Sequence, residues 1–228
     1  MDRVTPAAKP KRERKRLQTP NPEVRRRLMD AAADLIREGG WNAVRIEDIT
    51  ERAALSVGTF YLYFEGKSDL FLNLVLDYTQ RLRDRIGAAR EEGDGPVAAR
   101  LSRGFDAYLD FVLENEPGFV HYVQESGVLQ TTDGPLSHWA FRQHAADLRP
   151  YIEDGIRNGD IRNTDPTLLS QAMVGLTQHM VLYWLEHRDE YSRAQIKSFL
   201  DMFIALGMAP LERRPNGRGQ TGGRANPS

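Results

Sequence analysis

The sequence predicts an all-α fold, and three observations predict it. Apolar residues recur at helical spacing through most of the chain. Pro, Gly and small polar residues stand where helices start and stop. No stretch alternates apolar and polar residues as a half-buried strand does. The chain has 228 residues, enough for one large domain or two small ones with a buried core.

The helices follow in order. Val24, Leu28, Ala32, Leu35 and Ile36 mark the first, with Pro22 near its start and Gly39-Gly40 as its stop. Ile46, Ile49 and Ala53 mark a short second helix. Ser56 can cap a third, over about 57–64, which Glu65-Gly66-Lys67 breaks. Ser68 then caps a long fourth helix carrying Leu70, Phe71, Leu74, Val75, Tyr78, Leu82 and Ile86, which ends near Gly93-Asp94-Gly95-Pro96. Val97, Leu101, Phe105, Tyr108 and Val112 form the next stripe, ended by Pro117. A shorter piece over about 117–130 and a loop over Thr132–Pro135 follow. A helix over 136–158 is expected to bend near Pro150 and to stop at Asn158-Gly159-Asp160. Thr164-Asp165-Pro166 starts the next, which runs to about His187, and the last covers about Ser192–Leu206.

Charge is distributed unevenly. Residues 1–90 hold 18 Lys and Arg against 13 Asp and Glu, whereas the rest of the chain is acidic, within a total net charge of −1. A basic amino-terminal third suggests that this end meets a polyanion. Residues 1–20 read as a disordered arm rich in Lys and Arg, of the kind that contacts nucleic acid or merely solubilises. Residues 211–228 read as a disordered tail. The chain has no Cys, which excludes disulfides, thiol nucleophiles and thiolate metal sites. It has no apolar run long enough to span a membrane and no apolar leader, so a cytoplasmic location and no membrane partner are expected.

Residues 46–64 hold a short helix, a tight turn and a second short helix behind a longer one. That is the layout of a helix-turn-helix, whose second helix enters the major groove of DNA. Tyr61, Leu62 and Tyr63 cannot all point inward beside Phe60 and Phe64, because a helix of that length buries one face. Ser56 can cap or donate to a phosphate. Gly58 allows close approach, and Thr59 can bond a phosphate or touch a thymine methyl. Tyr61 and Tyr63 end in hydroxyls suited to phosphates or base edges. Lys67 precedes a helix start that also favours a phosphate.

The run from Ile46 to Leu70, IEDITERAALSVGTFYLYFEGKSDL, resembles the amino-terminal domain of the TetR family of bacterial transcriptional regulators. The resemblance is close over about residues 22–75. It implies DNA contacts at Ser56, Gly58, Thr59, Tyr61, Tyr63 and Lys67, with Val57 and Leu62 able to touch bases. Arg45 stands where the family often has a capping Ser or Thr, and is expected to bring a cation near a phosphate. Ala54 replaces a common Gly in the turn, so either the turn is made without a left-handed residue there or Ala54 bears the strain.

The resemblance also implies a domain plan. The arm covers 1–20, the DNA-binding domain 21–68, and a helical ligand-binding and dimerisation domain 69–210. The last two helices would pair with their copies in a homodimer, and the excess of apolar residues between Leu168 and Leu185 calls for such a partner surface. Phe105, Tyr108, Phe119, Tyr122, Val123, Trp139, Phe141, Met173, Leu176, His179 and Tyr183 are the candidate lining of an apolar pocket, with His121, Gln124, His144 and Gln178 as polar anchors. No His lies at metal-ligand spacing, and neither a metal nor a cofactor is expected. The expected function is a ligand-responsive regulator of transcription, a repressor released from a palindromic operator by a hydrophobic small molecule, and not an enzyme. The alternatives are a non-specific nucleic-acid binder acting through the arm and a small α-helical enzyme.

Overall fold

The structure, a computed structural model, describes residues 21–116, 130–131 and 134–208. The basic arm, the carboxy-terminal tail and the short piece expected before residue 130 lie outside the described residues. The chain divides into two compact units, Met1–Leu74 and Val75–Ser228.

The first unit is a small helical head. Helix α1 spans Pro22–Gly39, and Asn21 caps it by accepting the Glu23 N–H at 2.9 Å. Gly40, at φ +76°, lets the chain leave, and a 3₁₀ turn over Trp41–Ala43 follows. Helices α2, Ile46–Arg52, and α3, Val57–Phe60, make the helix-turn-helix. Helix α4 spans Lys67–Glu91. Leu28, Ala32, Ile49, Phe60, Phe64, Leu70 and Phe71 form the head's core, with the Phe60 and Phe64 rings 5.6 Å apart. Fully burying each of these large side chains is worth about 1.5–3 kcal/mol.

The unit boundary falls inside α4, later than the expected break after residue 68. The start of α4 belongs to the head: Leu70 is buried, Phe71 packs on Trp41 with ring centres 4.4 Å apart, and Asn73 accepts from Arg25 at 2.6 Å. Ser68 is not the cap of α4. The helix already includes Lys67, and the Asp69 carboxylate accepts the Glu65 N–H at 2.9 Å instead.

The second unit contains the rest of α4 with α5 (Val97–Glu114), α6 (Leu136–Asn158), α7 (Pro166–Glu186) and α8 (Arg193–Met208). A two-residue antiparallel ladder pairs β1 (Gln130–Thr131), just before the expected loop, with β2 (Gly134–Pro135) inside it. The all-α class stands. Helix α6 has the predicted bounds and runs through Pro150, whose missing N–H removes a bond to the Ala146 carbonyl. Asp165 caps α7 by accepting the Thr167 and Leu168 N–H groups at 2.8 and 2.9 Å. The core joins Leu82, Ile86, Leu101, Phe105, Leu109, Ile152, Val181, Trp184 and Leu200. Arg193 donates to Asp110 at 2.9 Å and to Asp106 at 3.1 Å, tying α8 to α5.

Candidate functional site

The turn between α2 and α3 dictates how the recognition segment is presented. Leu55 N–H bonds the Thr50 carbonyl at 2.8 Å and Ala54 N–H bonds the Glu51 carbonyl at 3.0 Å, the pair of bonds that closes a helix through a left-handed residue. That residue is Ala54, at φ +52°, and among the described residues no other non-glycine has a positive φ. The strain is therefore at Ala54. Arg27 donates to the neighbouring Ala53 carbonyl, which fixes the turn against α1.

Ser56 then caps α3. Its Oγ accepts the Thr59 N–H at 3.1 Å and lies 2.9 Å from the Thr59 hydroxyl. Regular α-helix ends at Phe60, sooner than the expected 57–64. Tighter turns carry the chain on, with Leu62 and Tyr63 N–H groups reaching back three residues. This places Phe60 and Phe64 in the core while Val57, Tyr61 and Leu62 stand 38%, 56% and 70% exposed. Those are the exposed large hydrophobics among the head's described residues, and all three lie on the recognition segment. Gly58 is exposed, and a Cβ there would meet only Ser56 Oγ, at 3.8 Å. Among the described residues nothing requires a glycine at that position.

Three expected contact residues are engaged within the head. The Tyr63 hydroxyl accepts the Asn21 N–H at 3.0 Å, where α1 begins. The Lys67 ammonium donates to the Trp41 carbonyl at 2.7 Å and lies 4.2 Å from the centre of that indole ring. Lys67 is thus drawn back onto the head instead of pointing away from it. The Arg45 guanidinium donates to Asp48 at 2.9 and 2.7 Å, and the Arg45 N–H reaches the same carboxylate at 3.3 Å. That hydrogen-bonded guanidinium holds the Asp48 carboxyl below the usual carboxylate range. Arginine has no acceptor, so it cannot return the cap, and its charge is matched by Asp48.

The second unit contains a cavity of about 660 Å³ between α4, α5, α6 and α7. Phe105, Tyr108, Phe141 and Met173 line it, as do the expected polar anchors His144 and Gln178. Trp139, Leu176, His179 and Tyr183 are not on its wall. They fall on other faces of α6 and α7; Tyr183, for instance, is exposed and stacks on His187 with ring centres 4.0 Å apart. Phe119, Tyr122, Val123, His121 and Gln124 lie outside the described residues.

The lining is also more charged than the expected apolar pocket. Arg83, Arg90, Glu91, Arg100 and Asp147 all contribute. Arg83 grips Asp147 at 2.6 and 2.8 Å, and Arg100 pairs with Glu91 at 2.6 Å while the Tyr151 hydroxyl donates to the same Glu91 oxygen at 2.6 Å. His144 is half-buried, and loss of water around its ring pushes the imidazole down to about 4, so it is neutral near pH 7. Sequence reasoning offered only apolar, His and Gln side chains as lining and did not consider the arginines of α4 and α5. The period of α4 puts Arg90 on the Leu82 and Ile86 stripe, which was the available signal.

Residues 28–74 match the model of the bacterial regulatory proteins of the tetR family. Over those residues the chain is similar to the TetR family of regulators. The fatty acid metabolism regulator protein of Bacillus subtilis is 21% identical over 188 residues, covering 78% of this chain and 92% of that protein. The transcriptional repressor KstR of Rhodococcus jostii is 36% identical over 63 residues, 28% of this chain and 30% of that one. The structure of the regulator FadR from Bacillus subtilis in complex with stearoyl-CoA superposes with a TM-score of 0.68 at 19% identity, covering 80% of this chain and 98% of that one. The TetR likeness thus extends over both units in fold, while the family model covers the head and the start of α4. Among the described residues no helix is long and apolar enough to cross a membrane.

Proposed function

We propose that this chain is a ligand-responsive DNA-binding regulator, a repressor that leaves a palindromic operator when a small molecule fills the second unit's cavity. One observation carries the reading. Val57, Tyr61 and Leu62 are held in the open by a helix-turn-helix whose own core is already full. Exposing rigid apolar and aromatic side chains costs solubility and gains nothing unless a partner covers them. Base edges and thymine methyls in a major groove are such a partner, and Gly58 leaves room for the backbone to approach it. Coupling needs a ligand that prefers one arrangement of the second unit over another. Helix α4 contributes residues both to the head's core and to the cavity wall, which makes it the natural carrier. The stearoyl-CoA in the FadR structure supports a ligand with a long apolar part.

The test is operator binding by gel shift after footprinting has located the site. Tyr61→Ala is expected to weaken specific binding by about 10–100-fold, the value of one good base or phosphate contact set, with unchanged melting temperature. Gly58→Ala should weaken it too, again without loss of stability. Normal binding by both variants refutes the interface.

A two-fold operator needs a two-fold protein. Phe199, Met202 and Phe203 on α8 and Leu168 and Tyr183 on α7 are exposed apolar groups that a second copy would cover. Introducing Met202→Glu and Phe203→Glu together is expected to halve the mass measured by light scattering. A dimer that survives both charges places the interface elsewhere.

A further inference from the structure

The cavity contains a cation that forms no ion pair of its own among the described residues. Arg90 is 8% exposed and lines the cavity near the end of α4. Its Nε is fully buried with no hydrogen-bond partner, and its guanidinium makes no ion pair among the described residues. The nearby carboxylates are already claimed. Asp147 is held by Arg83, and Glu91 by Arg100 and Tyr151. Asp154 pairs with Arg157, and exposed Asp84 accepts from Gln80 at 2.7 Å. The Tyr151 ring, 5.2 Å from the Arg90 guanidinium, and the carboxy-terminal end of α4 offer only partial compensation. An isolated charge is among the most costly groups to bury, and arginine cannot escape by losing its proton. The chain nevertheless makes space for it. A Cβ on Gly104 would fall 2.8 Å from Arg90 Nε, so the glycine on α5 leaves that nitrogen room.

We propose that Arg90 receives the oxyanion head of the effector, a carboxylate or phosphate, while an apolar body lies along Leu82, Ile86, Phe105, Leu148 and Met173. The planar fork of guanidinium donors matches either head in a two-bond contact. The apolar side chains named share the same cavity wall. Neutral His144, also on that wall, supplies a ring nitrogen without adding a second charge to be compensated. This assignment rests on the cavity being the effector site, and it narrows the effector class from hydrophobic to amphipathic and anionic.

The experiment measures binding to the full chain by calorimetry, with dodecanoate, dodecyl phosphate and dodecanol as probes. The two anions are expected to bind at least about 10-fold more tightly than the alcohol, in line with a charge-assisted bond. Whichever anion binds more tightly identifies the head. Arg90→Met should erase the preference and keep the alcohol's affinity. Arg90→Lys should restore part of it, and Gly104→Ala, which leaves the charge but crowds it, should reduce it. The melting temperature without ligand should hold or rise in Arg90→Met, because a buried cation without an ion pair of its own is removed. Equal affinity for anion and alcohol, or binding of none of the three, overturns the proposal. So does a fall in melting temperature in Arg90→Met with an unchanged preference, which would assign Arg90 to packing on Tyr151. A gel shift keeps the two readings apart. Anions that bind through Arg90 without releasing operator DNA sink the regulatory reading of the cavity and leave the anion site standing.

Discussion

The head and the second unit put their chemistry in opposite places. In the head the apolar core is complete, and the groups left over, Val57, Tyr61 and Leu62, stand on the outside. In the second unit the unusual groups line a cavity: Arg90, whose Nε has no hydrogen-bond partner among the described residues, and half-buried His144, held neutral. Under the proposed function, a surface that enters a groove needs exposure and rigidity, whereas a site that holds a small molecule must desolvate polar groups and keep them waiting. The head therefore carries its cost as a strained turn, and the second unit carries its cost as buried charge.

Three perturbations sharpen the contrast. The largest effect is expected from Phe60→Ala, which empties a fully buried ring from the head's core and costs about 3–5 kcal/mol. Calorimetry should show the head melting early while the second unit's transition stays in place; a uniform shift of the whole profile would mean that the units do not unfold separately. Next comes acid. The His144 imidazole titrates at about 4 in the folded chain against an ordinary 6.5, so below pH 6.5 the unfolded chain takes up a proton that the fold refuses. The stability present above pH 6.5 is lost progressively as pH falls toward 4. A tenfold change in proton affinity is worth about 1.4 kcal/mol, so the loss reaches on the order of 3 kcal/mol. Asp147 favours the proton while Arg83 and Arg90 oppose it. Paired carboxylates such as Glu91 and Glu114 add a loss at lower pH, but His144→Gln shares that part. Denaturant midpoints at pH 7 and pH 4.5 should therefore fall less in the variant than in the parent, and parallel curves would count against a half-buried neutral His144. The smallest effect is a gain. Ala54→Gly relieves a left-handed alanine and should stabilise the head by about 1 kcal/mol, read as a higher melting temperature of the head alone.

The same division explains what could be read from the residues. Caps, stops and stripes act within a turn or two of chain, so α1, α2, α5, α6 and α7 fall close to their expected bounds. The strain at Ala54 was half legible: the missing Gly left two ways to make the turn, and the backbone takes the left-handed one. Tyr63 and Lys67 were not. Their partners, Asn21 and Trp41, are 42 and 26 positions away, and no local pattern reveals a hydroxyl or ammonium turned back onto its own head. The cavity was half legible. Phe105 and Met173 lie on apolar stripes, but Arg90 is unpaired only because Asp147 and Glu91 are taken by cations from elsewhere along the chain. Partnering is a property of three-dimensional neighbours, and spacing does not report it.

The bond from Asn21 to the Tyr63 hydroxyl has one more consequence. Asn21 is where the Lys- and Arg-rich first 20 residues join the head, so their anchor is stapled beside the segment that carries Tyr61 and Leu62. Under the proposed function, a duplex held by that segment would lie close to where those basic residues are attached, and its binding would then fall more steeply with salt in the full chain than in one lacking residues 1–20.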